Sequence, residues 1–268
     1  MKHDLSKLRH VVMDMDGTIY HGKHLFPTTI PFLKRLESLG IGYTFLTNNS
    51  SRSIAEYLEH LKGFGISAGK EQMYSSTLGA VEFLKKKHPE IRKLFLLGTA
   101  SFRAEMQTHG FHDVSMQEEP DAVVTGFDTS LTYERLCKAA WWIKRNKLWL
   151  ATHPDPECPT EQETTLVDCG SICACLEKVS GRQPLVLGKP DPSILFRILE
   201  RNALSPEECA MCGDRLDTDL LLARNAGVTG VLIHPEAPES IPGNFADITV
   251  SHLERFGEKI SLAKQNGR

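Results

Sequence analysis

Short apolar runs alternate with helical patterns along almost the whole chain. The runs "HVVMD", "GYTFLT", "KLFLLG", "DAVVTG", "LWLATH", "PLVLG", "CAMCG" and "GVLIH" are separated by amphipathic stretches, which predicts βα units around a mostly parallel sheet. Between the first two runs, "TTIPFLKRLESLG" puts Ile30, Leu33 and Leu36 on one helical face, tolerates Pro31 in its first turn and stops at Gly40. After the second run, the Ser/Asn cluster of "NNSSRSIAEYLEHLKGFG" caps a helix in which Ile54, Leu58 and Leu61 recur at helical spacing.

The alternation continues through the middle of the chain, but there the strand ends carry no carboxylate-rich motif. Residues 79–183 therefore read as an inserted α/β domain, and residues 1–78 and 184–268 as two parts of one core. The insert includes the helices "GAVEFLKKKH", "YERLCKAAWWIKRNK" and "GSICACLEKVSG", and a long loop, "ATHPDPECPTEQETTLVDCG", rich in proline, threonine and acid. Trp141, Trp142 and Ile143 read as a packed helix face or part of a subunit contact.

At 268 residues and 41% hydrophobic, the chain can bury a full core. Lys and Arg number 31 against 34 Asp and Glu, a net charge of -3, so bulk charge gives no reason to expect nucleic acid or an anionic membrane as partner. A small molecule fits better. The N-terminus lacks the apolar stretch of a signal peptide and no segment approaches bilayer length, so the expected location is cytoplasmic. Seven cysteines in a chain this long read as free thiols, and the C-x-x-C at Cys209 and Cys212 lies in an apolar run with no second pair to complete a ligand set.

The stretch "VVMDMDGTIY" ends an apolar strand in two carboxylates, Asp14 and Asp16. Like charges leaving water together call for a cation or donor. In an open parallel sheet ligands bind beyond the carboxyl ends of the strands, and four such ends carry chemistry. The first has Asp14, Asp16, Gly17 and Thr18; the second has Thr47, Asn48, Asn49 and Ser50 at a helix start. "LGKPDPS" adds Lys189 with Asp191 as a helix cap, and "CGDRLDTD" adds Asp214, Asp217 and Asp219.

Asp14, Asp16 and Asp214 form a hard oxygen set too small for a closed cage, the open coordination that Mg²⁺ adopts when it shares itself with water and a phosphate. Thr47 and the backbone N–H groups of Asn48 and Asn49 make an anion seat, to which Lys189 adds a full positive charge. A carboxylate can then attack phosphorus. Asp14 suits the nucleophile, at the strand's end, and Asp16 in the turn suits a general acid and then a base on water. Singly, each group has an ordinary reading as cap, turn or solvated charge; four in this order at successive strand ends do not.

These motifs resemble the haloacid dehalogenase-like superfamily of aspartyl phosphatases, "DMDGT", "LTNNS", "GKP" and "GDRLDTD" being similar to its four motifs in order. The resemblance implies a Rossmann-like core, Asp14 as nucleophile, Asp16 as acid/base, Thr47 and Lys189 on the phosphoryl oxygens, Asp214 as metal ligand and Asp219 as support for the metal site. Asp217 receives no role. The insert falls between the second and third motifs, as in the subfamily with a type IIA α/β cap, which includes 4-nitrophenyl phosphatase-like, pyridoxal phosphatase and phosphoglycolate phosphatase enzymes. "TNNSSRS", "ATHPDP" and "EKVSGRQPLVLGKP" are similar to that branch, although His153 stands where it would have Asn or Asp.

The expectation is Mg²⁺-dependent hydrolysis of small phosphate monoesters. A phosphotransferase or mutase using the same aspartyl-phosphate, and a silent phosphate-binding protein, are the alternatives. The acidic "HPDPE" loop suggests His153, Asp155 and Glu157 as specificity residues, with Arg52 as a partner. The resemblance further implies a homodimer through the cap.

Overall fold

The strand His10–Asp14 is buried along its whole length because it is paired on both sides. It runs parallel to Cys209–Gly213 on one flank and to Gly42–Thr47 on the other. Thr229–Ile233 and Ile248–Val250 extend the sheet in the same direction, and the short strand that begins at Met73 forms the opposite edge. The computed structural model describes residues 4–160, 163–236 and 245–267. Among the described residues, no helix is long and apolar enough to cross a membrane.

The apolar runs become strands because each buries side chains that would otherwise face water. Val11, Val12, Phe45, Met211 and Val231 are fully enclosed, and each such side chain stabilises the fold by about 1.5–3 kcal/mol. The helix Thr29–Ser38 covers the sheet with Phe32, Leu33 and Leu36, Phe32 replacing the expected Ile30 on the buried face. Ser193–Arg201 buries Ile194, Leu195, Ile198 and Leu199, and its first turn is capped by Asp191 Oδ1, which accepts from the Ser193 amide at 2.9 Å. The C-terminal helix Leu253–Asn266 packs Phe256 against Phe32, ring centres 6.1 Å apart, and pairs Glu254 with Arg35. No short-range pattern announced the hairpin Tyr20–His21/His24–Leu25, a two-residue pairing that turns at Gly22 with φ +56°.

Contacts divide the chain into two compact units, residues 1–47, 61–73 and 189–268 in the first and 48–60 with 74–188 in the second. The expected boundaries, 1–78, 79–183 and 184–268, therefore fall differently around residues 48–60, 74–78 and 184–188. Hydrogen bonds give the reason. Asn48 donates to Asp155 at 2.9 Å, Ser50 meets Thr152 at 3.1 Å, and Thr99 donates to the Ser51 carbonyl at 2.6 Å, so residues 48–51 are tied into the second unit.

The second unit has its own parallel sheet, in the order Leu185–Val186, Leu148–Ala151, Ala122–Thr125, Lys93–Leu97, His112–Asp113. The helices Tyr133–Lys144 and Cys169–Ser180 bury Trp142, Ile143 and Leu176 against Phe95, Val123 and Trp149. Of the tryptophan pair, Trp142 is core. Trp141 is 43% exposed, with the Lys138 ammonium 4.1 Å and the Arg145 guanidinium 4.7 Å from its ring centre. The acidic loop closes into a hairpin of Glu157–Cys158 on Leu166–Val167; Glu161 and Gln162 within it lie outside the described residues. All seven cysteines are free thiols, and Cys209 and Cys212 are buried in their strand.

Candidate active site

Strand register brings the first unit's chemistry to one level. Met13 lies opposite Cys212 and Asp14 opposite Leu46, so Asp14, Gly213 and Thr47 end neighbouring strands within about a residue of one another. Thr47 is buried there. Beyond Gly213 the chain passes through a π-turn, Leu216–Leu220, whose wide spacing turns Thr218, Asp219 and Leu220 inward while Asp217 stays outside, paired with Arg215 at 3.1 Å.

Lys189 fixes the centre. Its Nζ lies 2.5 Å from Asp14 Oδ1 and 2.6 Å from Asp219 Oδ1, with all three groups buried. Oxygens of Asp14, Asp214 and Asp219 come within 4.8 Å of one another, the one such metal-competent group among the described residues. Asp214 has the Thr18 hydroxyl at 3.5 Å, and Asp219 accepts from the Arg215 amide at 3.3 Å. Two glycines make room: a Cβ at Gly17, where φ is +86°, would lie 2.3 Å from Asp214 Oδ2, and one at Gly213 would lie 2.3 Å from Asp219.

Three carboxylates face one ammonium. Burial, together with the charges of Asp219 and Asp214, holds the Asp14 carboxyl well above the usual carboxylate range although Lys189 pulls it down. Burial and Asp219 push Asp214 up to about 6. For Lys189 burial works against the charge, but Asp14 and Asp219 outweigh it and raise the ammonium above its ordinary value. The cluster is short of positive charge, and hard oxygens in this number suit a hard divalent cation.

Asp16 does not belong to this cluster. Expected as a third metal-binding carboxylate, its side chain is 59% exposed and faces His21 Nδ1 at 3.4 Å. The strand ends at Asp14, and the next turn closes on the Met15 carbonyl, which accepts from Thr18, Ile19 and Tyr20, so Asp16 leaves the face that Asp14 occupies. Asp219, expected only as support, takes the place inside.

The remaining expected residues lie in the second unit. Asn48 is buried, and its carbonyl accepts from Ser76 Oγ at 2.5 Å; the Asn49 carbonyl accepts from Tyr57 Oη at 2.9 Å. With Thr99 on Ser51, hydroxyls thus anchor three carbonyls of this loop, a feature that no local sequence pattern signals. Arg52 is exposed near Glu56 and Glu157 is exposed with Thr165 on its carboxylate at 2.9 Å.

His153, expected as a specificity residue, is fully enclosed. It sits between Asp155, 3.3 Å from Nδ1, and Asp168, 3.5 Å from Nε2, and Asp155 is taken up by His153 and Asn48 rather than by Arg52. Burial disfavours the imidazolium, but Cys169, Asp155 and Asp168 outweigh it and raise His153 to about 9. Against the cost of its own burial, Cys169 is lowered to about 6 by Cys173 and by His153.

A parallel sheet that gathers acids and a lysine at its carboxyl edge defines a class, and sequence comparison gives the same one. A family model described as haloacid dehalogenase-like hydrolase matches residues 11–112, and a HAD-hydrolase-like model matches residues 186–237. Mouse (Mus musculus) chronophin is 32% identical over 85% of this chain and 81% of its own length. The 5'-nucleotidase YutF of Bacillus subtilis is 29% identical over 83% and 86%. Among solved structures, a 4-nitrophenylphosphatase from Thermotoga maritima superposes with a TM-score of 0.89 at 34% identity, covering 96% of this chain and 99% of that one. The chain belongs to the haloacid dehalogenase-like hydrolases, in subfamily IIA: it is a phosphoric monoester hydrolase with the parallel-sheet core and cap domain of that fold.

Proposed function

We propose that the protein hydrolyses small-molecule phosphate monoesters with Mg²⁺, through an aspartyl-phosphate on Asp14. The observation that carries this reading is the buried Asp14–Lys189–Asp219 arrangement with Asp214 beside it. An Asp14 oxygen forms a bond to phosphorus as the ester P–O bond breaks, and the electron pair goes to the leaving oxygen. That oxygen takes a proton from the Asp16 carboxyl and departs as the alcohol. Asp16, now a carboxylate, takes a proton from water as the water oxygen attacks phosphorus; inorganic phosphate leaves and the Asp14 carboxylate returns.

Lys189 offsets charge on Asp14 and on the phosphoryl oxygens, and Thr47 supplies a hydroxyl at the same strand level. The second motif gives Asn48 and Asn49, next along the chain, the same anion-binding duty. Asp14, Asp214 and Asp219 are the residues that would hold Mg²⁺. When bound, Mg²⁺ supplies charge neutralisation for the attacking carboxylate and the phosphoryl group.

Relatives named as a 5'-nucleotidase, acid sugar phosphatases and ribonucleotide monophosphatases support a small phosphate ester as substrate. Free thiols support a cytoplasmic location. A homodimer through the cap is part of the same reading, and sedimentation measures it. A panel of phosphate monoesters, scored by kcat/KM with Mg²⁺ and after chelation, tests the function. Turnover should vanish on chelation and return with Mg²⁺; full activity after thorough chelation would remove the metal, and no turnover of any ester would overturn the reading.

A further inference from the structure

The acid/base Asp16 lies on a loop whose backbone is pinned at both ends. Met15 O accepts from the amides of Thr18, Ile19 and Tyr20 at 3.2, 2.9 and 3.3 Å, and Gly17 N donates to Tyr20 O at 2.8 Å. Tyr20 is buried, its ring centre 5.5 Å from that of Phe64, and the Ile19 carbonyl accepts from Thr29 Oγ1 at 2.7 Å. The next residue, His21, is therefore delivered to a fixed place by a short hairpin that pairs it with His24. That place is beside Asp16, with His21 Nδ1 3.4 Å from Asp16 Oδ1.

An ion pair this exposed, 56% and 59%, adds little stability. Its consequence is directional. Asp16 is a short side chain in a turn that has already left the face of Asp14, and the His21 ring stands beside it there. The contact is an ion pair, so the ring attracts the Asp16 carboxylate when it carries its proton.

We propose that His21 is a positioning residue for Asp16, holding its carboxyl at the rim of the site where it meets the leaving oxygen of the ester. The proposal rests on the acid/base role given to Asp16 above. His21 touches neither phosphorus nor the leaving group; it acts through Asp16, whose proton passes to the ester oxygen as the P–O bond breaks. A misplaced acid hurts most where the leaving group is basic and needs its proton early.

The test is an aryl phosphate series from 4-nitrophenyl to phenyl to 4-methoxyphenyl phosphate, with kcat/KM plotted against the acidity of the phenol. His21→Leu should lower turnover of the 4-methoxyphenyl ester about tenfold or more and of the 4-nitrophenyl ester by less than about threefold. His21→Lys, which keeps a cation beside Asp16, should restore most of the loss. His24→Leu, across the same hairpin, should leave the series flat. In an Asp16→Asn background, His21→Leu should add nothing. An equal loss across the series, no loss, or failure of His21→Lys to rescue would overturn the proposal. A steepened series in Asp16→Asn with an unchanged one in His21→Leu would overturn this proposal alone, whereas a flat series in Asp16→Asn would overturn the acid role of Asp16 and this proposal with it.

Discussion

The two units each bury a set of charges, and the sets are built differently. In the second unit, His153 stands between Asp155 and Asp168, Asp155 also accepts from the Asn48 amide at 2.9 Å, and Asp168 accepts from the Cys169 backbone N–H at 2.5 Å. Each carboxylate has donors of its own within the protein. In the first unit, Asp14 and Asp219 share Lys189, Asp219 also accepts from the Arg215 amide at 3.3 Å, and Asp214 has the Thr18 hydroxyl at 3.5 Å and its own backbone N–H. Buried carboxylates that each have a donor of their own hold a loop in place; three carboxylates gathered around one ammonium make a site that an external cation and an anionic substrate complete.

The largest effect expected from this contrast is on stability in the second unit. His153→Leu should destabilise the protein by about 3–5 kcal/mol, because it leaves two buried carboxylates without their cation. Asp214→Asn in the first unit should do the reverse, raising the stability of metal-free protein by about 1–3 kcal/mol through relief of burial and repulsion while abolishing stabilisation by Mg²⁺. Denaturant melts of both variants, with Mg²⁺ and with chelator, decide the matter. A stable His153→Leu or a destabilised metal-free Asp214→Asn would erase the distinction.

A smaller effect separates the buried histidines. Burial in the strand lowers His10 to about 4, with Thr44 Oγ1 at 2.9 Å from Nε2. A histidine whose folded value is depressed is fully accommodated above the unfolded value near 6.5, and its contribution is lost as pH falls from there through the folded value. Between about pH 6.5 and 4 the unfolded chain binds the extra proton, so stability should fall by about 3 kcal/mol at most. Chemical melts of His10→Phe across that range should lose this part of the acid sensitivity; an unchanged slope would show that His10 is not its source.

Much of this was legible in the sequence, and the exceptions have physical causes. Asp14 and Lys189 could be placed because each directly follows an apolar run, where a sheet exposes its carboxyl edge. Asp16 reads as a turn residue, but the direction of its side chain could not be read, since only the closure of that turn on the Met15 carbonyl takes it away from Asp14. Asp219 reads locally as part of an acidic helix start; the π-turn that draws it inward leaves no periodic signal. His153 reads as a polar loop residue because its two carboxylate partners are two and fifteen positions away, and the second meets it only through the start of the helix Cys169–Ser180. The hydroxyl anchors Tyr57, Ser76 and Thr99 come from three separate segments, so no window of sequence contains them.

The claim that three carboxylates gathered around one ammonium mark the reacting centre is tested most directly by trapping the phosphoryl group. Asp16→Asn keeps the size of the side chain but cannot serve as base on water, so the intermediate formed from 4-nitrophenyl phosphate should persist. Mass spectrometry of that variant after mixing with the ester should find one added phosphoryl group, mapped to Asp14. A label on another residue, or undiminished turnover by Asp14→Asn, would contradict the account.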